Sequence, residues 1–165
     1  MKLRKLKEKD VFGMLEWMHY DESKYIFEKD FSKYGEEDVL SFINSNNSNE
    51  VHYACVDDND NYLGTVSLKN IDRKNCNAEL AISFVKKGQG TGAALFALNE
   101  IISIGFYKLG LYKIYLNVLS TNVRAKKFYI KNRFKKEGCF RSHIKKGVHF
   151  IDLEWYAIYR DDYKE

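Results

Sequence analysis

Apolar residues recur along this chain with two different periods, and the switches between them predict the element order. Residues 2–6 read as a short first strand. Val11, Met14, Leu15 and Met18 then follow the three- and four-residue spacing of a helix, with Asp10 placed to cap it. A second helix is predicted from the acidic run Glu36-Glu37-Asp38, which suits the positive end of a helix dipole. Val39, Phe42 and Ile43 supply its buried stripe. Residues 51–56 and 62–68 are strand-like and predict a hairpin turned by Asp57-Asp58-Asn59-Asp60-Asn61. That turn imitates a calcium loop at its first five positions, but Tyr62 and Leu68 stand where glycine and glutamate belong. It is a solvated turn. Residues 78–85 form a further strand that runs into a glycine-rich turn and a long helix over 92–107, with Leu95, Leu98, Ile102 and Phe106 on one face. A strand at 112–118, a short helix at 121–131 and two closing strands at 134–141 and 148–158 complete the chain. The order β-α-α-β-β-β-α-β-α-β-β is that of an α/β (α+β) fold, a mixed and mostly antiparallel sheet of about seven strands flanked by helices. The polar stretch at 44–49 (NSNNSN) is a loop within one domain spanning residues 1–165.

Two constellations carry candidate chemistry. The first is the turn Lys87-Gly88-Gln89-Gly90-Thr91-Gly92-Ala93, between a strand and a helix. Such a turn lets backbone N–H groups converge at a helix N-terminus, a ready site for a pyrophosphate. A phosphate-binding P-loop needs Gly-Lys-Ser/Thr, and Gly92-Ala93-Ala94 lacks it. A dinucleotide fingerprint is formally matched by Gly88, Gly90 and Ala93, yet the next strand ends Leu116-Asn117-Val118 with no acid to hold a ribose. Coenzyme A, which also carries a pyrophosphate, is the third reading. The second constellation is Asn122, Lys126 and Tyr129, whose spacing of four and three puts them on one helix face with Ala125.

Composition narrows the class. The chain has 165 residues, 45% hydrophobic and 30% charged, with no proline and three cysteines in no C-x-x-C pair. That is an ordinary globule without a disulfide framework or zinc ribbon. No apolar stretch approaches the about 20 residues of a spanning helix, and no signal pattern opens the chain, so a cytoplasmic setting is expected. The net charge of +4 is unevenly spread. Residues 1–50 hold eight Lys or Arg against eleven Asp or Glu, whereas the remainder is basic. An acidic front and a basic back suit a cationic ligand and an anionic one respectively.

Together the glycine turn, the Asn122–Tyr129 face and the element order resemble the GNAT superfamily of N-acetyltransferases. The nearer likeness is to the branch of ribosomal-protein-alanine and spermidine acetyltransferases, and a looser one is to amino-sugar acetyltransferases. The resemblance implies acetyl-CoA as co-substrate, no metal, and a primary amine acceptor in a polyamine, an amino sugar or a peptide N-terminus. It also admits a homodimer and implies no membrane partner. By this likeness the backbone of Lys87, Gly88, Gln89, Gly90, Thr91, Gly92 and Ala93 would cradle the pyrophosphate. Ile82 and Ser83 would pair with the pantetheine arm through their backbone, Asn122 would bond it, and Lys126 or Lys127 would lie near the adenosine phosphate. Tyr129 would protonate the leaving thiolate. Glu79 sits where several relatives keep a base, and it equally suits a structural partner for a nearby lysine. Trp17, Tyr20 and Asp21 are the candidate acceptor residues. Two departures stand out: Lys87 replaces the usual Gln or Arg, and Arg133 occupies a position where glycine is usual. A left-handed cap is costly for arginine, which points to Asn132 or a different turn there. The rival readings are a non-catalytic acyl-CoA sensor and a nucleic-acid-binding module built on the basic pairs at 126–127, 135–136 and 145–146.

Overall fold

The computed structural model describes residues 1–45 and 47–163. Seven strands make one sheet: β1 (Lys2–Lys5), β2 (Val51–Val56), β3 (Tyr62–Asp72), β4 (Asn77–Phe84), β5 (Lys113–Leu119), β6 (Lys135–Lys146) and β7 (His149–Tyr159). Their spatial order is β1-β2-β3-β4-β5-β7-β6. Every neighbouring pair is antiparallel except β4 and β5, which run parallel. The helices are α1 (Val11–Met18), α2 (Ser23–Ile26), α3 (Glu36–Ile43), α4 (Ala93–Ser103) and α5 (Val123–Lys131). The mixed sheet and flanking helices match the expected fold class.

The two faces of the sheet carry separate cores, because successive strand residues point to opposite sides. Within β2, Cys55 belongs to one cluster and its neighbours Ala54 and Val56 to the other. On the first face Leu98, Ile101, Ile102 and Phe106 pack against Leu68, Ile114 and Leu116. On the second, Met14 and Trp17 of α1 and Val39 of α3 cover Ala54 and Val56. Each of the larger side chains contributes about 1.5–3 kcal/mol by leaving water.

Several expectations are corrected. Asp10 does not cap α1: it is already helical, and its carboxylate accepts two bonds from Arg4 (2.7 and 2.9 Å) and one from the Lys7 N–H (2.8 Å). A 1% exposed carboxylate needs such partners, and Arg4 supplies them while also reaching Asp60 in the β2–β3 turn. Leu95 is 44% exposed, since α4 sits on the sheet through the small Ala93 and Ala97 rather than through the Leu95 side. Beyond Ser103 the helix widens into a π turn, Ile104–Lys108. Arg133 takes the left-handed conformation itself (φ +70°), whereas Asn132 stays at φ −99° and donates from its amide to the Phe128 carbonyl at 2.8 Å. The one-turn α2 and the longer β3 and β6 were not foreseen. Among the described residues no helix is long and apolar enough to cross a membrane.

Candidate active site

The site begins where two parallel strands part. β4 and β5 pair over three positions only, Asn77 with Lys113, Ala78 with Ile114 and Glu79 with Tyr115. Beyond Glu79, β4 stays with β3 as far as Phe84, while β5 stays with β7 as far as Leu119. The facing edges diverge around a cleft of about 220 Å³. Backbone groups on those edges have no strand to bond, so an extended ligand can complete them. Ile82 and Ser83 line the cleft from β4, Asn117 from β5, and Asn122, Ala125 and Tyr129 from the α5 segment. Segment 26–31 closes its outer side.

The glycine turn lies directly after β4. A short 3-10 turn, Lys86–Gly88, is followed by Gly90 at φ +75° and Gly92 at φ +86°. A Cβ at either position would meet nothing within 4 Å, so conformation rather than space demands glycine there. Gly92 is the N-cap of α4, whose first N–H groups find no partner inside the helix. The Thr91 hydroxyl donates to the Gly88 carbonyl (2.8 Å) and accepts from the Ala93 N–H (3.3 Å), bracing the turn from within. Lys87 is exposed. Gln89 donates to the Phe84 carbonyl and accepts from Arg124 Nη1 at 2.8 Å, tying the turn to α5.

Arg124 was missed in the sequence. Lys126 is directed to Glu154 of β7 at 3.3 Å, where Lys136 also pairs at 3.2 Å. The helix face that lines the cleft is Asn122, Ala125 and Tyr129, with Lys126 beside it and Lys127 exposed. Lys135 pairs with Asp162 at the surface, so part of the basic clustering has acidic partners within the chain. Arg124, two residues into α5, is the cation that reaches the glycine turn.

Tyr129 is buried between Phe128 and Phe134, with ring centroids 5.4 and 5.5 Å away. Burial alone pushes its phenol well above the ordinary tyrosine range. Asn122 caps α5 by accepting from the Ala125 N–H (3.1 Å) and donates to the Ile26 carbonyl (3.3 Å). Glu79 also lines the cleft, held by Lys69 (3.3 Å), Asn70 (2.8 Å) and Asn117 (3.3 Å). Glu79 is thus a lysine partner that also lines the cleft.

A second cavity of about 220 Å³ adjoins the first, sharing Lys29, Phe31, Lys69, Ala81 and Ser83 with it. Trp17 lines it, yet is only 5% exposed and donates to the Tyr62 hydroxyl at 3.2 Å. Tyr20 is elsewhere: its hydroxyl donates to Glu16 and accepts from the Lys86 N–H (3.0 Å), and Lys86 Nζ lies 4.5 Å from its ring. Asp21 is exposed and lines neither cavity. The acidic front does not converge on the second cavity, whose one carboxylate is Asp38. Lys29, Phe31 and Lys69 were missed because they meet only after β3 and the loop ahead of α3 come together.

The family model of the acetyltransferase (GNAT) domain matches residues 3–155. The chain belongs to the GNAT family. Among its curated relatives, an uncharacterised N-acetyltransferase p20 of Bacillus licheniformis is 29% identical over 108 residues, 66% of this chain and 61% of that protein. The spermidine N(1)-acetyltransferase of Vibrio cholerae is 30% identical over 114 residues, 69% of this chain and 66% of the relative. The matched stretch thus spans less than two thirds of either relative. A spermidine N-acetyltransferase from Vibrio cholerae, solved with CoA and spermine, shares the GNAT fold at a TM-score of 0.89 and 22% identity, covering 98% of this chain and 96% of its own. A spermidine/spermine N-acetyltransferase from Vibrio cholerae, solved with manganese ions, follows at 0.78 and 25%, covering 98% and 94%.

Proposed function

We propose that this GNAT chain, working as one domain, is an acetyl-CoA-dependent N-acetyltransferase that moves an acetyl group to a primary amine. The observation that carries the reading is the parting of β4 from β5, which leaves an unbonded strand edge between a glycine turn and a buried tyrosine. Those features fit coenzyme A in three parts. The turn and the α4 N-terminus suit a pyrophosphate, with Arg124 beside it. The free edge of β4 at Ile82 and Ser83 suits the amide groups of a pantetheine arm. Tyr129 suits the sulfur end.

Acetyl-CoA supplies an acyl group already activated as a thioester. The chain's own task is to align the amine, remove its proton and return one to the thiolate. As the amine nitrogen bonds to the acyl carbon and the C–S bond breaks, the Tyr129 hydroxyl gives its proton to the sulfur, and the second proton that the nitrogen sheds in becoming an amide returns to the Tyr129 oxygen. The ammonium proton leaves through water toward Glu79, which Lys69, Asn70 and Asn117 hold in one orientation. Unpaired β4 N–H groups offer donors for the charge that builds on the acyl oxygen. The deciding experiment is thiol release from acetyl-CoA in the presence of a panel of amines. Release that depends on both substrates supports the reading; acetyl-CoA binding without turnover would make the protein a sensor.

A further inference from the structure

We infer that the amine acceptor also carries an anionic group, a carboxylate or a phosphate, and that Lys29 is the residue that selects it. The inference rests on the acetyltransferase reading above and names its acceptor class. Lys29 lines both cavities, at the point where they join. Its ammonium lies 4.9 Å from the Tyr34 ring and 5.8 Å from the Phe31 ring, which hold it in place from one side. Among the described residues no carboxylate forms an ion pair with it. Lys69 borders the same junction with its ammonium paired to Glu79 at 3.3 Å, which leaves Lys29 as the cation there without an ion-pair partner among the described residues.

Most of the carboxylates around Lys29 have partners of their own, and Glu79 already balances Lys69. Asp38 accepts from the Gly35 N–H at the start of α3 (2.8 Å), and Glu79 takes three donors. Glu22 pairs with Lys86, and Asp30 accepts from the Ser32 N–H. Glu28 is exposed where it borders the cleft. A polyamine brings two or more ammonium groups, and a distal charge at the junction would meet the unpaired Lys29, with Asp38 the carboxylate lining the second cavity. An anion-bearing amine reverses the sign of that encounter: its anion bonds Lys29 while its amino group turns toward the β4 edge.

The test uses the whole purified protein and measures thiol release at saturating acetyl-CoA. The acceptors are spermidine, glucosamine, glucosamine 6-phosphate and an α-amino acid. The expected result is that an anion-bearing amine has a kcat/KM about tenfold or more above both glucosamine and spermidine, expressed mainly in KM. The phosphate and carboxylate arms then tell which anion is read. Lys29→Glu should remove the preference, costing the anionic acceptor on the order of 10²-fold, and should raise turnover of spermidine; Lys29→Gln should fall between. Preference of the unaltered protein for spermidine, or an acceptor ranking that Lys29→Glu leaves unchanged, overturns the inference while upholding the transferase. Absence of thiol release with every amine overturns the transferase reading and this inference with it.

Discussion

Single side chains decide the chemistry and part of the stability. Tyr129 is the sharpest case. Its phenol is held above the ordinary value of about 10, so the protonated form that an acid requires persists through neutral and mildly alkaline pH. Tyr129→Phe should lower kcat by about 10²–10⁴-fold, the span of a general acid, with a much smaller effect on acetyl-CoA affinity. Because the phenol does not titrate between pH 6 and about 9, the variant should depress the rate profile without changing its shape in that window. A profile whose alkaline limb vanishes in the variant would assign the limb to Tyr129 and contradict the shift. Arg133 offers a test of backbone strain alone. Its φ of +70° costs a side chain about 1–2 kcal/mol, so Arg133→Gly should raise the denaturation midpoint by an equivalent of about 1 kcal/mol. An unchanged or lowered midpoint would mean that the arginine's own contacts outweigh the strain.

At the scale of elements, the turn between β4 and α4 carries the cofactor argument. Gly90→Val should weaken acetyl-CoA binding by about tenfold or more, since a branched residue at φ +75° shifts the turn that presents its N–H groups. Gly110→Ala is the control. Gly110 has φ +70° and equally open surroundings but lies ahead of β5, so it should lose similar stability and keep its affinity by calorimetry. Equal loss of affinity in both would reduce the effect to general destabilisation. The turn itself was legible in the sequence, as were the strand-helix alternation and the Tyr129 face, because each is a local pattern of glycine or of helical spacing. The cleft was not. It exists because β4 and β5 stop pairing after Glu79 and Tyr115, and the extent of a parallel pairing is set by what packs on each strand elsewhere. The pairing of Lys126 was not legible for a related reason: helical spacing says which residues share a face, and the partner of this lysine, Glu154, lies 28 residues onward. Trp17 and Tyr20 looked alike as aromatic acceptor residues, yet one is core and the other braces the Lys86 backbone.

At the scale of the whole molecule, the two ends of the chain meet over the site. Segment 26–31 walls the cleft and contributes Lys29 and Phe31 to the junction of the cavities. Local bonds alone do not place it. Asn122 donates to the Ile26 carbonyl across 96 residues, and Lys146, near the tip of the β6–β7 hairpin, donates to the Glu28 carbonyl at 2.9 Å across 118. The hairpin therefore ties down the wall of the cleft, past which the proposed acceptor would enter. Lys146→Ala removes one exposed bond to a carbonyl, a loss of about 1 kcal/mol or less, while leaving the glycine turn and Tyr129 untouched. The acceptor KM should rise by about two- to fivefold, kcat should hold, and acetyl-CoA affinity should stay within about twofold. Amide hydrogens of segment 26–31 should exchange faster in the variant, with no matching change in β3 or α4, because only the wall has lost a tether. Asn122→Ala gives the stronger form of the same experiment, since it frees Ile26 and also uncaps α5, adding about 1 kcal/mol of destabilisation. Faster exchange with an unaltered acceptor KM would show that the wall moves without gating the acceptor, and the specificity argued for Lys29 would then rest on charge rather than on position.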